Sequence, residues 1–163
     1  MLMIRKLRAF WLLSADDRLT LVEALAFPIC ISLGFRVLGV PRTQGLLRRW
    51  AAGGNTKIPA SGHQLEIRKA RRAQRVVKRT TGLAGNCLVR SLTLWTILLR
   101  RGITTNLRVG FRKRGGQIEG HAWVEHDDTP INEAISEART FVPYEQPVTF
   151  DLWRRLGRNE PVV

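Results

Sequence analysis

The sequence predicts an α+β fold, helices first and a small antiparallel sheet after them, on three observations. Apolar residues recur at helical spacing up to Arg101, the period falls to two between Leu107 and Val124, and Lys113-Arg-Gly-Gly116 and Asp127-Asp-Thr-Pro130 have the composition of hairpin turns. With 163 residues the chain is about one domain long and can close a hydrophobic core without disulfide or metal staples. An apolar share of 44% against 25% charged residues excludes wholesale disorder.

The elements follow in order. Ser14 before Asp16 and Asp17 reads as a helix start, a hydroxyl cap with acidic groups facing the helix dipole. Leu19, Val22, Leu25 and Ala26 continue at helical spacing, and Pro28 is expected to end or kink that helix. A second apolar helix over Ile29–Leu38 and a short one near Gln44–Ala52 complete an N-terminal helical part, residues 1–62. Its last stretch, Ala51–Gly62, is rich in turn formers and reads as the linker to a core of residues 63–163. Gln64–Thr80 is helical and basic: between His63 and Thr80 stand seven Lys/Arg and one Glu, with Leu65, Ala73, Val76, Val77 and Thr80 as the apolar stripe. Gly82–Asn86 breaks that helix and Cys87 opens the next. Leu88, Ser91, Leu92, Trp95, Leu98 and Leu99 share one face, and Arg100, Arg101 and Gly102 give a basic last turn and a glycine stop. Strands through Leu107–Phe111 and Ile118–Val124, a short strand over Ile131–Glu133 and a short helix near Phe150–Leu156 complete the chain.

Charge narrows the partners without choosing one. The net charge is +14, and it is uneven: residues 1–114 carry 23 basic and 4 acidic side chains, residues 115–163 carry 4 and 9. A basic body calls for an acidic partner, whether nucleic acid, an anionic membrane surface or an acidic protein. The longest uncharged apolar stretch, Ala24–Phe35, has 12 residues and contains Pro28 and Gly34. A spanning helix needs about 18 or more, so no transmembrane segment is expected. Met1–Ser14 has no convincing cleavage site and reads as a mature N-terminus of a cytoplasmic protein, with loose membrane contact through Arg5, Lys6 and Arg8 left open. Cys30 and Cys87 form no disulfide framework, and together with His63, His121 and His126 they form no metal-ligand set. No metal and no cofactor are expected.

The chemistry centres on Cys87 and His121. Cys87 stands in the first turn of a helix after Asn86, a good cap, where free N–H groups and the positive dipole end favour a thiolate. His121 follows 34 residues later on a strand, between Gly120 and Ala122, which leave room around an imidazole. A thiol at a helix start facing a strand-borne histidine suits nucleophilic catalysis: the imidazole takes the thiol proton and later gives it to the leaving amine. A third polar group would orient the histidine. By contrast, Cys30 lies in an apolar run and reads as core, His126 as an exposed turn residue, and His63 as a linker or cap residue.

In order along the chain, Asn86-Cys-Leu-Val-Arg-Ser-Leu-Thr-Leu-Trp95, Leu98-Leu-Arg-Arg-Gly-Ile103, Leu107-Arg-Val-Gly110, His121-Ala-Trp-Val-Glu125 and Ile131-Asn-Glu133 resemble the lasso-peptide leader peptidase family. That family is the stand-alone protease half of a split maturation protein. The resemblance spans roughly residues 63–135 and implies a transglutaminase-like or papain-like core, its cysteine helix packed on a small antiparallel sheet. It also implies a cysteine peptidase that removes the leader from a ribosomally made precursor, acting with a small leader-recognition protein. A separate ATP-using cyclase then closes the macrolactam. Carried over by position, Cys87 is the nucleophile and His121 the general acid/base. The family's third residue is commonly an aspartate 12 positions after the histidine, a place held here by Glu133.

Strand parity leaves that third role open between neighbours, because Asn132 and Glu133 on a strand point to opposite faces. A two-residue turn at Asp127-Asp128 pairs Trp123 with Asn132 and puts Asn132 on the face of His121, whereas a three-residue loop pairs His121 with Glu133. The family spacing favours Glu133. The Cys87 N–H is the natural oxyanion donor, Trp123 either walls the cleft or packs, and Arg90 either meets the substrate or makes a structural ion pair. The basic helix with Arg100, Arg101, Arg108, Arg112, Lys113 and Arg114 is a candidate surface for the leader or its recognition protein. Two rival readings remain: an acyl transferase on the same fold, and a basic nucleic-acid-binding module. The second lacks any recognisable binding motif, and nucleic acid is not an expected partner.

Overall fold

A computed structural model describes residues 10–54, 58–81 and 86–144. The elements are helices α1 (Ala15–Val37), α2 (Val40–Ala52), α3 (Ala60–Thr81) and α4 (Cys87–Arg100), strands β1 (Asn106–Arg114), β2 (Gln117–His126) and β3 (Thr129–Pro130), helix α5 (Ile135–Ala138) and strand β4 (Val142–Pro143). The strands form one antiparallel sheet in the order β3-β2-β1-β4. The α+β class expected from periodicity is the one observed. The expected helix near Phe150–Leu156, and Arg5, Lys6 and Arg8, lie outside the described residues.

The start of α1 is as anticipated: the Ser14 hydroxyl accepts the Asp17 N–H at 3.1 Å, with Asp16 and Asp17 in the first turn. Pro28 does not end it. The two helices expected on either side of the proline are one helix, because Thr20, Glu23, Ala24, Phe27, Pro28 and Ile31 form a single buried stripe that continues across it. Packing on both sides of an interior proline offsets a cost of about 3 kcal/mol. The merged helix is long and apolar enough to cross a membrane by length and composition, a property that the separate runs lacked, and a third of its most apolar window is buried. Its outer face exposes Leu19, Val22, Ile29, Leu33 and Val37. Cys30 lies on that outer side and is exposed, not core.

The short second helix begins earlier than anticipated, at Val40, because Gly39 takes a positive φ of 77° and Pro41 stands at its first turn. The turn-rich segment after it is tied to the end of α4: the Ile58 N–H donates to the Arg101 carbonyl at 3.3 Å. A side chain at Gly54 would lie 2.6 Å from the Arg100 carbonyl. Ala24, Phe27, Ile31 and Val40 from the helical part share one core with Ile67, Ala70, Leu88, Leu92, Leu98 and Val124.

The buried stripe of α3 is Ile67, Ala70, Ala73 and Val77, while Leu65 and Val76 are exposed. Ala73 and Val77 are shared with the expected stripe, while Ile67 and Ala70 take the places expected of Leu65 and Val76. Helix α4 is the centre of the molecule. Leu88, Val89 and every residue from Ser91 to Leu98 are buried, so it is enclosed on all sides and not along one face alone. Its hydroxyls are satisfied locally, Thr93 on the Val89 carbonyl and Thr96 on the Leu92 carbonyl. At its end Arg101 is buried and paired with Glu23 of α1 at 3.0 Å and Glu66 of α3 at 3.1 Å, which locks three helices together. Arg101 is thus not part of any docking surface. Arg100 pairs with Glu23, Arg108 with Glu125, and Arg112 with Glu119 and Glu137.

The hairpin β1–β2 turns at Gly115-Gly116, both with positive φ. The next turn is the two-residue form, with Asp127 and Asp128 at φ 49° and 55° and His126 paired with Thr129. His126 is buried, its Nδ1 3.1 Å from the Thr104 carbonyl and its ring 5.4 Å from that of His63. It is a packing residue, not an exposed turn residue.

Candidate active site

Three elements deliver the site. The Asn86 side chain accepts the Val89 N–H at 3.0 Å, and its carbonyl accepts the Arg90 N–H, so Cys87 is held as the first residue of α4. His121 sits at the centre of β2, opposite Gly110 of β1. A side chain at Gly110 would come within 2.8 Å of Trp123 and 2.9 Å of the Val142 carbonyl, so the close approach of β4 requires glycine there. Helix α4 is fastened to β2 beside the site, because the buried Ser91 hydroxyl donates to the Ala122 carbonyl at 2.8 Å. Ser91 lies one turn after Cys87 and Ala122 directly after His121, so this bond fixes sulfur against imidazole.

Cys87 and His121 act on each other, and their ionisations are shifted in opposite directions. Burial pushes the Cys87 thiol up. The hydrogen bond to His121, a backbone hydrogen bond from Ala122 and the charges of His121 and Arg90 outweigh it and hold the thiol below its ordinary 9.0. The Cys87 contact raises His121 above 6.5, burial opposes, and Glu133 raises it further. His121 Nε2 lies 2.9 Å from Glu133 Oε2, which leaves Nδ1 for the thiol. A carboxylate on Nε2–H fixes the tautomer that accepts a proton from sulfur at Nδ1.

The structure brings Glu133, not Asn132, to His121, but by neither route the parity argument allowed. The turn is the two-residue form that would favour Asn132. The ladder, however, ends at Pro130, and no strand covers Ile131–Glu133. The Ile131 N–H still donates to the Val124 carbonyl at 2.8 Å, while the Val124 N–H is taken by the Asn132 side-chain oxygen at 2.8 Å. That side chain replaces the next ladder carbonyl, so the main chain peels away and swings Glu133 onto the histidine. Asn132 Nδ2 also donates to Ser91 Oγ at 2.9 Å.

Arg90 extends the constellation, its Nη2 3.4 Å from the same Glu133 oxygen. Trp123 is buried, donates to Glu125 at 2.8 Å and stacks beside His121 with centroids 6.3 Å apart, so it packs under the imidazole. Phe141 covers His121 at 5.0 Å, and Arg112 lies 4.3 Å from the Phe141 ring centroid. Phe141 lies in a segment to which sequence periodicity assigned nothing, and no spacing signal marks it. Among the described residues no group of three or more His, Cys, Asp or Glu is gathered to hold a metal ion.

The family model of the transglutaminase-like superfamily matches residues 31–146, most of the chain and the whole of this constellation. The chain belongs to the transglutaminase-like superfamily. Members of this superfamily are usually cysteine-dependent enzymes, peptidases or acyltransferases. No curated protein and no solved structure matches the chain.

Proposed function

We propose that the protein is a cysteine peptidase that removes the leader from a ribosomally synthesised lasso-peptide precursor. The Cys87–His121–Glu133 constellation, with thiol and imidazole ionisations shifted towards each other and Glu133 bonded to His121, carries this reading, with the order of motifs from Asn86 to Glu133 pointing to the substrate. Cys87 Sγ, as thiolate, attacks the carbonyl at the end of the leader. The oxyanion develops beside the Cys87 N–H at the helix start, where each well-aimed donor is worth roughly 3 kcal/mol. The His121 imidazolium gives its proton to the departing amine of the core peptide, and Glu133 stabilises its charge. Water, deprotonated by His121, then releases the leader as a free carboxylate.

A small leader-recognition protein presents the precursor, and an ATP-using cyclase consumes the freed amine; the site of action is the cytoplasm. No cofactor takes part in this scheme. The test is incubation of wild type and Cys87→Ala with a lasso precursor and its recognition protein, followed by mass measurement. Wild type yields leader and core, and Cys87→Ala forms the complex without cleavage. A crosslinked product in place of a free leader carboxylate would instead establish the acyl-transfer reaction open to this superfamily.

A further inference from the structure

A cavity of about 160 Å³ lies between α1, α3 and the start of α4, next to the constellation but outside it. Arg71, Arg75, Lys78 and Arg90 line it, with no acidic side chain among the lining residues. Arg71, Arg75 and Lys78 follow one another at the spacings that put them on one face of α3, where neighbouring like charges destabilise a helix. The single acid of α3, Glu66, is turned the other way and paired with Arg101 and Lys69. Among the described residues none of the three has a carboxylate partner. Arg90 Nε is shielded from solvent yet has no hydrogen-bond partner among the described residues, and Arg90 Nη2 reaches Glu133 only at 3.4 Å. Gln74 fixes the wall by donating to the Arg90 carbonyl at 2.8 Å, and Asn132 closes the end nearest Glu133. An ordinary solvated helix face mixes signs and encloses no cavity. This one concentrates a single sign around an unfilled donor.

We propose that this cavity is a subsite for a carboxylate side chain of the peptide substrate, held by Arg90 with Arg75, Arg71 and Lys78 at the rim. A planar carboxylate matches the guanidinium fork, and charge-assisted bonds there supply what the described residues do not. Arg90 stands one helical turn from Cys87, so the acidic residue lodged in the cavity lies near the scissile bond. The subsite deepens the peptidase reading by naming a substrate feature, and its existence can be tested apart from it.

The probes are N-acetyl-glutamate N-methylamide and its glutamine counterpart, titrated into the full chain carrying Cys87→Ala while the arginine Nε–H resonances are followed by NMR. The glutamate probe shifts the Arg90 resonance saturably. The glutamine probe binds at least about tenfold more weakly, the loss of one charge-assisted contact. Arg71→Gln/Arg75→Gln/Lys78→Gln weakens the glutamate probe by a similar factor, with Arg75→Gln alone as the milder variant should the triple change perturb folding. Arg68→Gln/Arg72→Gln/Arg79→Gln removes the same charge from α3 away from the cavity and leaves binding unchanged. Equal binding of both probes, equal effects of the two triple variants, or inorganic phosphate binding more than tenfold tighter than the glutamate probe overturns the proposal. A protein that binds the glutamate probe but never cleaves a precursor keeps the subsite and loses the peptidase reading. Cleavage without probe binding does the reverse.

Discussion

Replacing Glu133 separates its proposed role from that of its neighbour. The Glu133 carboxylate meets His121 Nε2 at 2.9 Å, a bond to a charged group of the kind worth about 1.5–3 kcal/mol net. If that stabilisation is lost when the imidazolium forms, Glu133→Ala lowers turnover by about 10- to 150-fold, at tenfold for each ~1.4 kcal/mol. Asn132→Ala instead removes neutral bonds to Val124 and Ser91, each worth about 0.5–1.5 kcal/mol of stability, and leaves the His121 contact in place. A second readout needs no substrate: iodoacetamide alkylation of Cys87 against pH, in a Cys30→Ser background because Cys30 is exposed. The thiol is lowered from 9.0 partly by His121, and His121 is raised from 6.5 partly by Glu133. Glu133→Gln therefore lets the imidazolium lose its proton at lower pH. The thiolate loses its counter-charge, and the alkylation profile moves to higher pH. An unchanged profile in Glu133→Gln, or a greater turnover loss in Asn132→Ala, refutes the assignment.

Two further outcomes follow from the same geometry. Ser91→Ala leaves the Ala122 carbonyl and the Asn132 amide without their buried partner and costs about 1–3 kcal/mol, read by denaturant unfolding, and by loosening sulfur against imidazole it moves the alkylation midpoint of Cys87 to higher pH. Arg101→Ala takes from the buried Glu23 and Glu66 the partner they share, leaving Arg100 and Lys69 as their remaining ones, and costs about 1.5–3 kcal/mol; a loss below 1 kcal/mol in the same unfolding assay would mean that the cluster does not bind the three helices together.

The fold was legible where one physical signal acted alone. The Ser14 cap, the Asn86 cap, the Gly115-Gly116 turn and the change of period at Leu107 are local, and each stands where the sequence puts it. Most of the errors share a cause: tertiary burial overrides a local preference. Pro28 stays within a helix because its neighbours on the same stripe are buried. Val40 opens α2 early because a glycine with positive φ precedes it. Cys30 and His126 exchange the exposures expected of them, since an apolar run does not reveal which face of its helix is covered and a turn does not reveal what packs beneath it. Arg101 reads as a surface charge because its partners, Glu23 and Glu66, lie far away in sequence.

The candidate site was legible in which residues come together and illegible in the path that brings them there. Cys87 and His121 follow from a helix start and a strand with small neighbours, and Glu133 follows from its distance after the histidine in the family it resembles. Parity with the two-residue turn that forms would have chosen Asn132, because it assumes that a strand continues, and this one stops at Pro130. What stops it is itself a sequence feature. Asn132 carries an acceptor on a short side chain, which satisfies Val124 as a main-chain carbonyl would and frees the backbone to turn. The two adjacent residues therefore divide one task, Asn132 fastening the loop to β2 and α4 while Glu133 points at the imidazole. A glutamate, one methylene longer than the aspartate common at this place, still reaches Nε2 at 2.9 Å. The peeled backbone, more than side-chain length, sets where that carboxylate lies.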